Sequence, residues 1–165
     1  MLYKEFRNAA KRHLNTCKFM LHNLETLKKN KPSERDVLIN VYYLGGYVTE
    51  CIVKYAIYSS LGYRTHRDIK ELNKHEHGMS YEDDMKHHNF RSLVQEHLFR
   101  IKGRDVFEDA SILKDQKGDI TKLYQEWGPE IRYTYKGKVV NKKRITEFIE
   151  KVEEAHTIIK RAVGG

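Results

Sequence analysis

Apolar residues recur at steps of three and four along the first part of the chain. This spacing lines one face of a helix and predicts an amphipathic helix over residues 2–28. Pro32 is expected to end it, because the proline ring clashes with the preceding helical turn. The inward positions are Phe6, Ala9, Ala10, His13, Leu14, Cys17, Met20, Leu21, Leu24 and Leu27.

A second helix is predicted from Ser33 to Ser60 or Leu61. Ser33 is a favourable N-cap, and Glu34 and Asp36 place negative charge in the first turn, where the helix dipole favours it. At ~1.5 Å per residue the helix would be about 40 Å long, so it is expected to form the spine of a bundle.

Residues 63–88 are rich in basic and histidine side chains and poor in apolar ones. They are predicted to form a long exposed connection, with 67–73 as a candidate short helix. Asn89 is expected to cap a third helix to Ile101, and Asn141 a final helix to about Ala162. Between these lie predicted short helices at 105–115 and 119–127, and a turn or small hairpin within 133–140.

Together these elements predict one all-α domain over residues 1–165. Its architecture is an up-and-down bundle of four main helices with short additional helices. The length suits a single core, and only two prolines interrupt it.

The net charge of +8 and the pI near 9.3 favour a polyanionic partner such as RNA. Cys17 and Cys51 lie far apart among apolar helical positions, which favours two buried, reduced thiols over a zinc site. No apolar run approaches the ~20 residues of a membrane span, and no signal peptide is evident. The expectation is a cytoplasmic protein.

Two adjacent glycines, Gly45 and Gly46, lie inside the predicted second helix. Each costs roughly 1 kcal/mol against Ala there, so we expect a close approach by another backbone. Glu50 and Lys54 follow on one helix face. An exposed pair of this kind contributes little, so a role for it implies burial against another polar partner, with Arg132 as the candidate.

Three runs of the chain, together with the opening amphipathic helix, resemble the HEPN family (higher eukaryotes and prokaryotes nucleotide-binding). The first is the Tyr-x-x-Gly-Tyr-x-x-Glu-x-x-x-Lys spacing that ends with Tyr47, Glu50 and Lys54. The second is His88-Asn89-Phe90 at the start of the third helix, and the third is the Trp-Gly-Pro-Glu-x-Arg-Tyr run from Trp127 to Tyr133.

The resemblance implies a small helical bundle that acts as a homodimer, without a cofactor. Its partner would be RNA or a nucleotidyltransferase, within a toxin–antitoxin or antiphage system. The alternative is a metal-independent RNA endonuclease, in which an Arg, then four to six intervening residues, then a His act together in a dimer cleft.

Two Arg–His pairs match that spacing, Arg7 with His13 and Arg91 with His97, and about two matches are expected by chance. We take Arg91 and His97 as the catalytic candidates because they lie beside the third helix start. The final helix, where the family motif usually lies, has only His156.

Basic residues of the 63–88 connection and of the Trp127–Tyr133 run are the predicted nucleic-acid contacts. Arg132 either holds a phosphate or pairs with Glu50 or Glu130, and Tyr42, Tyr43 and Tyr47 line a dimer surface or lie in the core. A helical protein whose charge only confers solubility is the third alternative, and no metal site is predicted because the histidines lack i,i+4 spacing. The predicted contacts are Arg64, Arg67, Lys70, Lys74 and Arg132.

Overall fold

A computed structural model describes most of the chain, with gaps near residue 31, near residue 90 and between residues 103 and 140. The predictions for Pro32 and Asn89, for most of 105–127 and for the turn within 133–140 lie outside the described residues. The described ranges are 1–29, 33–88, 92–103, 105–107, 110, 122–123, 125–133 and 140–164.

The fold is an all-α bundle, as predicted. None of its described helices is both long and apolar enough to cross a membrane. In chain order the α-helices are α1 (Lys4–His22), α2 (Leu24–Lys29), α3 (Glu34–Ser60), α4 (Lys74–His77), α5 (Phe99–Lys102) and α6 (Lys142–Ala162). Shorter elements are 3₁₀ turns at Ile69–Glu71, Asp105–Phe107 and Pro129–Arg132, and π-helical segments at Tyr81–Met85 and Leu93–Leu98, the latter running into α5.

Helix α3 is the spine of the bundle, and α1 and α6 pack along it. Its start is fixed by a capping box, in which Ser33 and Asp36 each accept a hydrogen bond from the other's backbone N–H. The side chain of Asn141 caps α6 in the predicted way by accepting from the N–H of Arg144 at 2.9 Å. Both helix starts therefore follow from local cap chemistry.

The first predicted helix is divided in two at Asn23, so the prediction of one helix over residues 2–28 is wrong. The backbone N–H of Asn23 donates to the carbonyl of Phe19 at 3.0 Å, and its side-chain amide donates to the same carbonyl at 2.9 Å. Its φ of −98° and ψ of 17° depart from helical values. Asparagine favours such local side-chain bonds over helix continuation.

The segment 63–88 is not the exposed connection that its composition predicts. It contains three short helical elements and inserts apolar side chains into the core. The Tyr58 hydroxyl of α3 donates to the carbonyl of Ile69 at 2.9 Å and ties the segment to the spine. Its apolar residues follow no single period, so periodicity does not reveal them. The inserted side chains are Tyr63, Ile69, Leu72, Met79 and Met85.

Both cysteines are buried and unpaired with each other, as predicted. The Cys17 thiol donates to the carbonyl of Val41 at 3.5 Å. Burial raises the pKa of each thiol to about 12, so neither forms the reactive thiolate at neutral pH.

The two glycines of α3 are sites of close approach, but side chains rather than a backbone approach them. A Cβ on Gly45 would lie 2.6 Å from Cδ1 of Ile149 and 2.8 Å from Cε1 of Phe148, both on α6. A Cβ on Gly46 would lie 2.1 Å from the indole ring of Trp127. The glycine pair therefore makes room for α6 on one side and for Trp127 on the other.

Gly46→Ala is expected to lower the free energy of unfolding by about 2 kcal/mol, since overpacking outweighs the gain in helix propensity. Urea denaturation measures this loss. Trp127 is the only tryptophan of the chain, so its fluorescence should also shift to the red as the ring is displaced. Gly45→Ala is the matched control: its Cβ would press on Ile149 and Phe148 of α6 and leave Trp127 in place, so the fluorescence should not shift. An unshifted spectrum for Gly46→Ala would contradict this packing.

His156 on α6 makes stability depend on pH. Its Nε2 is buried and lacks a hydrogen-bond partner among the described residues, and burial followed by the charge of Lys160 lowers its pKa. Below about pH 6.5 the unfolded chain takes up a proton at this position that the folded chain does not, so stability falls as pH falls. Urea midpoints at about pH 7.5 and 5.5 should differ more for the wild type than for His156→Leu. An equal difference in both proteins would contradict this.

Candidate functional site

Glu50 and Lys54 of α3 form a buried ion pair that also binds a histidine. The side chains are one helical turn apart, and the residues are only 3% and 4% exposed. Lys54 Nζ lies 2.7 Å from Oε1 of Glu50. On the other side, Nδ1 of His88 lies 2.9 Å from Oε2. The pair thus has a further polar partner, but that partner is His88 and not Arg132.

Ionic contacts and hydrogen bonds hold the side chains of Glu50, Lys54 and His88 in place. A carboxylate in a protein interior is stable only with an opposite charge and hydrogen bonds, and Lys54 and His88 supply both to Glu50. The Lys54 ammonium also lies 5.9 Å from the ring centre of Phe6, in cation–π range. Since both carboxylate oxygens accept, we assign the Nδ1 proton of His88 to the bond with Glu50.

His88 joins this buried cluster to the surface, with its side chain 43% exposed. With Nδ1 bound to the carboxylate, Nε2 lies on the opposite side of the ring, directed away from Glu50. A histidine oriented in this way by a carboxylate presents an unprotonated nitrogen that can accept a proton, and the carboxylate then stabilises the imidazolium. This orientation is chemically suited to general-base catalysis.

Tyr47 lies at the centre of the aromatic side of the site. Its ring centre is 5.9 Å from that of His88, 5.0 Å from Tyr43, 4.9 Å from Trp127 and 6.1 Å from His13. Burial first, then its hydrogen bond to Tyr43 and the charge of Glu50, raise the pKa of the Tyr47 hydroxyl. It therefore remains a protonated hydrogen-bond donor beside His88.

Trp127 anchors the residues that follow it, 128–133, to α3. Its indole Nε1 donates to the carbonyl of Tyr43 at 3.0 Å, and its ring fills the space above Gly46. The 3₁₀ turn Pro129–Arg132 comes next, with Ile131 buried beneath it. This anchoring brings the end of the turn to the Tyr43 side of the site.

Arg132 contacts tyrosines rather than the carboxylates of Glu50 and Glu130. It is exposed, and its hydrogen bond to the Tyr43 side chain raises the pKa of the guanidinium. The guanidinium carbon also lies 4.8 Å from the ring centre of Tyr133. Of the two predicted roles, the pairing with a carboxylate is wrong, and the phosphate contact stays a prediction.

Of the predicted catalytic pair, only His97 lies in the described part of the chain. Arg91 lies outside the described residues. His97 lies in the π-helical segment Leu93–Leu98, where its Nε2 is 3.6 Å from Oδ1 of Asp84. Its side chain is only 15% exposed. His97 is therefore less accessible to a substrate than His88.

The second Arg–His match does not form a site. The guanidinium of Arg7 lies 5.4 Å from the ring centre of Tyr55, whereas His13 packs near Tyr47. Tyr47 and Tyr55 are eight residues apart on α3, roughly 12 Å along the helix. Burial, followed by the charge of Arg12, lowers the pKa of His13. Arg7 and His13 contact different parts of the spine.

Two of the predicted basic contacts of segment 63–88 already have acidic partners. Arg67 binds Glu71 at 2.9 Å and Glu76 at 2.5 Å, and Lys74 binds Asp83 at 2.9 Å. Arg64 and Lys70 are exposed. The attraction of this segment for phosphate is therefore weaker than its composition suggests.

Tyr42, Tyr43 and Tyr47 are each predicted to lie in the core or at a dimer surface, and Tyr42 lies in the core. It is fully buried, and its hydroxyl donates to the carbonyl of Leu123. Tyr43 and Tyr47 are half-buried at the candidate site. His88 is the functional candidate that the sequence did not single out. The only signal for it is its place in the His88-Asn89-Phe90 run.

Comparison with known proteins gives no significant match to a family model, a curated protein or a solved structure. Within the described part of the chain, no three His, Cys, Asp or Glu side chains are grouped to hold a metal ion. The functional assignment therefore depends on the geometry around His88.

Proposed function

We propose that the chain is a metal-independent RNA endonuclease in which His88 is the general base. The observation that carries the proposal is the bond between His88 Nδ1 and the buried, lysine-paired carboxylate of Glu50. A histidine that served only to satisfy Glu50 would not need to stand 43% exposed. This assignment moves the base from His97 to His88.

The proposed reaction uses the RNA's own nucleophile. His88 Nε2 takes the proton of a ribose 2′-hydroxyl, and the oxygen attacks the adjacent phosphorus. A bond from O2′ to phosphorus forms while the bond from phosphorus to O5′ breaks, and the leaving O5′ takes a proton from water. The products are a 2′,3′-cyclic phosphate and a 5′-hydroxyl. Glu50 stabilises the imidazolium that forms on His88.

Arg132 is proposed to hold the phosphate. The exposed guanidinium keeps N–H donors beyond the one directed at Tyr43, and a planar fork suits two phosphate oxygens. The net charge of +8 supports a polyanionic substrate. The HEPN resemblance of the Tyr47–Lys54 and Trp127–Tyr133 runs supports RNA in particular.

The biological setting is also a proposal. The same resemblance supports a homodimer in the cytoplasm, with a nucleotidyltransferase as partner in a toxin–antitoxin or antiphage system. Binding of RNA or of that partner without turnover is the alternative function.

The test is to incubate labelled RNA with the protein in EDTA and to identify the ends by mass spectrometry. We expect cleavage with 2′,3′-cyclic phosphate and 5′-hydroxyl ends. RNA that is bound but remains intact would contradict the enzyme and favour the binding module. No binding at any salt concentration would favour the third alternative, a helical protein whose charge serves solubility.

Arg132→Gln is expected to weaken RNA binding and to reduce the slope of log K against log salt concentration by about 1, the amount for one lost phosphate contact. Fluorescence anisotropy at several salt concentrations measures both. Lys74→Gln is the matched control, since Lys74 is already paired with Asp83 and should change the slope less. A slope that Arg132→Gln leaves unchanged would exclude the phosphate contact.

A further inference from the structure

Tyr133 is the most exposed large apolar side chain among the described residues. The residue is 75% exposed, although it directly follows the Pro129–Arg132 turn, which is held in place by buried side chains. Trp127 is buried just before that turn and Ile131 within it, and the backbone N–H of Tyr133 donates to the carbonyl of Glu130 at 2.9 Å. Tyr and Arg are both enriched among the residues that dominate binding interfaces, and here they lie side by side on an anchored turn.

The ring of Tyr133 is paired with a cation. The Arg132 guanidinium lies 4.8 Å from its centre, and the same guanidinium reaches Tyr43. Tyr43 contacts Tyr47, and Tyr47 contacts His88. A continuous series of contacts therefore leads from the exposed ring to the proposed base.

We propose that Tyr133 and Arg132 form a subsite for one unpaired nucleotide, whose base stacks on the Tyr133 ring while Arg132 binds its phosphate. This proposal rests on the proposed function, because it takes RNA as the ligand. An aromatic ring next to a guanidinium matches the alternation of base and phosphate along a strand. In a duplex the base faces are already covered by their neighbours, so the subsite selects unpaired positions.

The test uses a short single-stranded RNA that is blocked against cleavage by 2′-O-methyl groups and carries 2-aminopurine as one base. Stacking on an aromatic ring quenches the fluorescence of 2-aminopurine. Wild type and Tyr133→Phe should quench it, while Tyr133→Leu should not and should bind about 5- to 100-fold more weakly. The same base within a duplex should not be quenched by any of the proteins.

Equal quenching and affinity for Tyr133→Leu and the wild type would overturn the subsite, as would equal binding of the duplex. The two proposals can fail separately. If the wild type quenches the base but does not cleave unmodified RNA in EDTA, the endonuclease is wrong and the subsite stands. If the wild type cleaves RNA and Tyr133→Leu behaves identically in both assays, the subsite is wrong and the endonuclease stands.

Discussion

His88→Gln should reduce the rate of RNA cleavage by about 10²- to 10⁴-fold, the range for the loss of a general base. The glutamine amide can still donate a hydrogen bond to Glu50, but it cannot accept a proton from a 2′-hydroxyl. The loss should therefore appear in the rate and not in the stability. Single-turnover cleavage in EDTA measures the rate, and urea denaturation measures the stability.

The matched control for this variant is His87→Gln. His87 is the preceding residue and is exposed, and Glu50 binds His88 and not His87. We expect His87→Gln to cleave RNA at the wild-type rate. A His88→Gln protein that is folded and cleaves as fast as the wild type would exclude His88 as the base.

Lys54→Met is expected to lower the free energy of unfolding by about 3 kcal/mol, within the range for breaking a buried ion pair. The methionine fills much of the space of the lysine, so the loss comes mainly from the unneutralised charge of Glu50. Urea denaturation followed by circular dichroism measures it. In the double variant with Glu50→Gln the loss should be smaller than the sum of the two single losses, because no buried charge remains.

Lys18→Met is the matched control for the buried pair. Lys18 binds Glu153 at 2.7 Å, the same distance as between Lys54 and Glu50, but these side chains are 54% and 43% exposed. An exposed pair contributes about 0–1 kcal/mol, so this substitution should change stability little. Similar losses for Lys18→Met and Lys54→Met would contradict the importance of burial.

Local chemistry explains the parts of the fold that the sequence predicts well. Ser33 and Asn141 cap α3 and α6 through bonds to residues three positions away, and such bonds can be read from a short stretch of sequence. The break at Asn23 is also local, but the apolar period continues across it and so predicts an unbroken helix. A period reports which face is buried and not whether the backbone remains helical.

The candidate site depends on contacts between distant parts of the chain. Glu50 and Lys54 can be paired from their spacing, but the second partner of Glu50 is His88, the last residue of the segment 63–88. The composition of that segment predicts an exposed connection, and neither its composition nor its period indicates that its end returns to the spine. Gly46 correctly predicts that another group packs close to α3. Only the structure shows that this group is the side chain of Trp127 and not a backbone.

The tautomer of His88 tests the central claim most directly. Two-bond ¹H–¹⁵N correlation spectra distinguish which nitrogen of a neutral imidazole carries the proton, and the His88→Gln spectrum identifies the signal. We predict protonated Nδ1 and unprotonated Nε2 in the wild type, with the preference lost in Glu50→Gln. A His88 ring protonated at Nε2 in the wild type would contradict the claim, because that nitrogen could not then accept a proton from substrate.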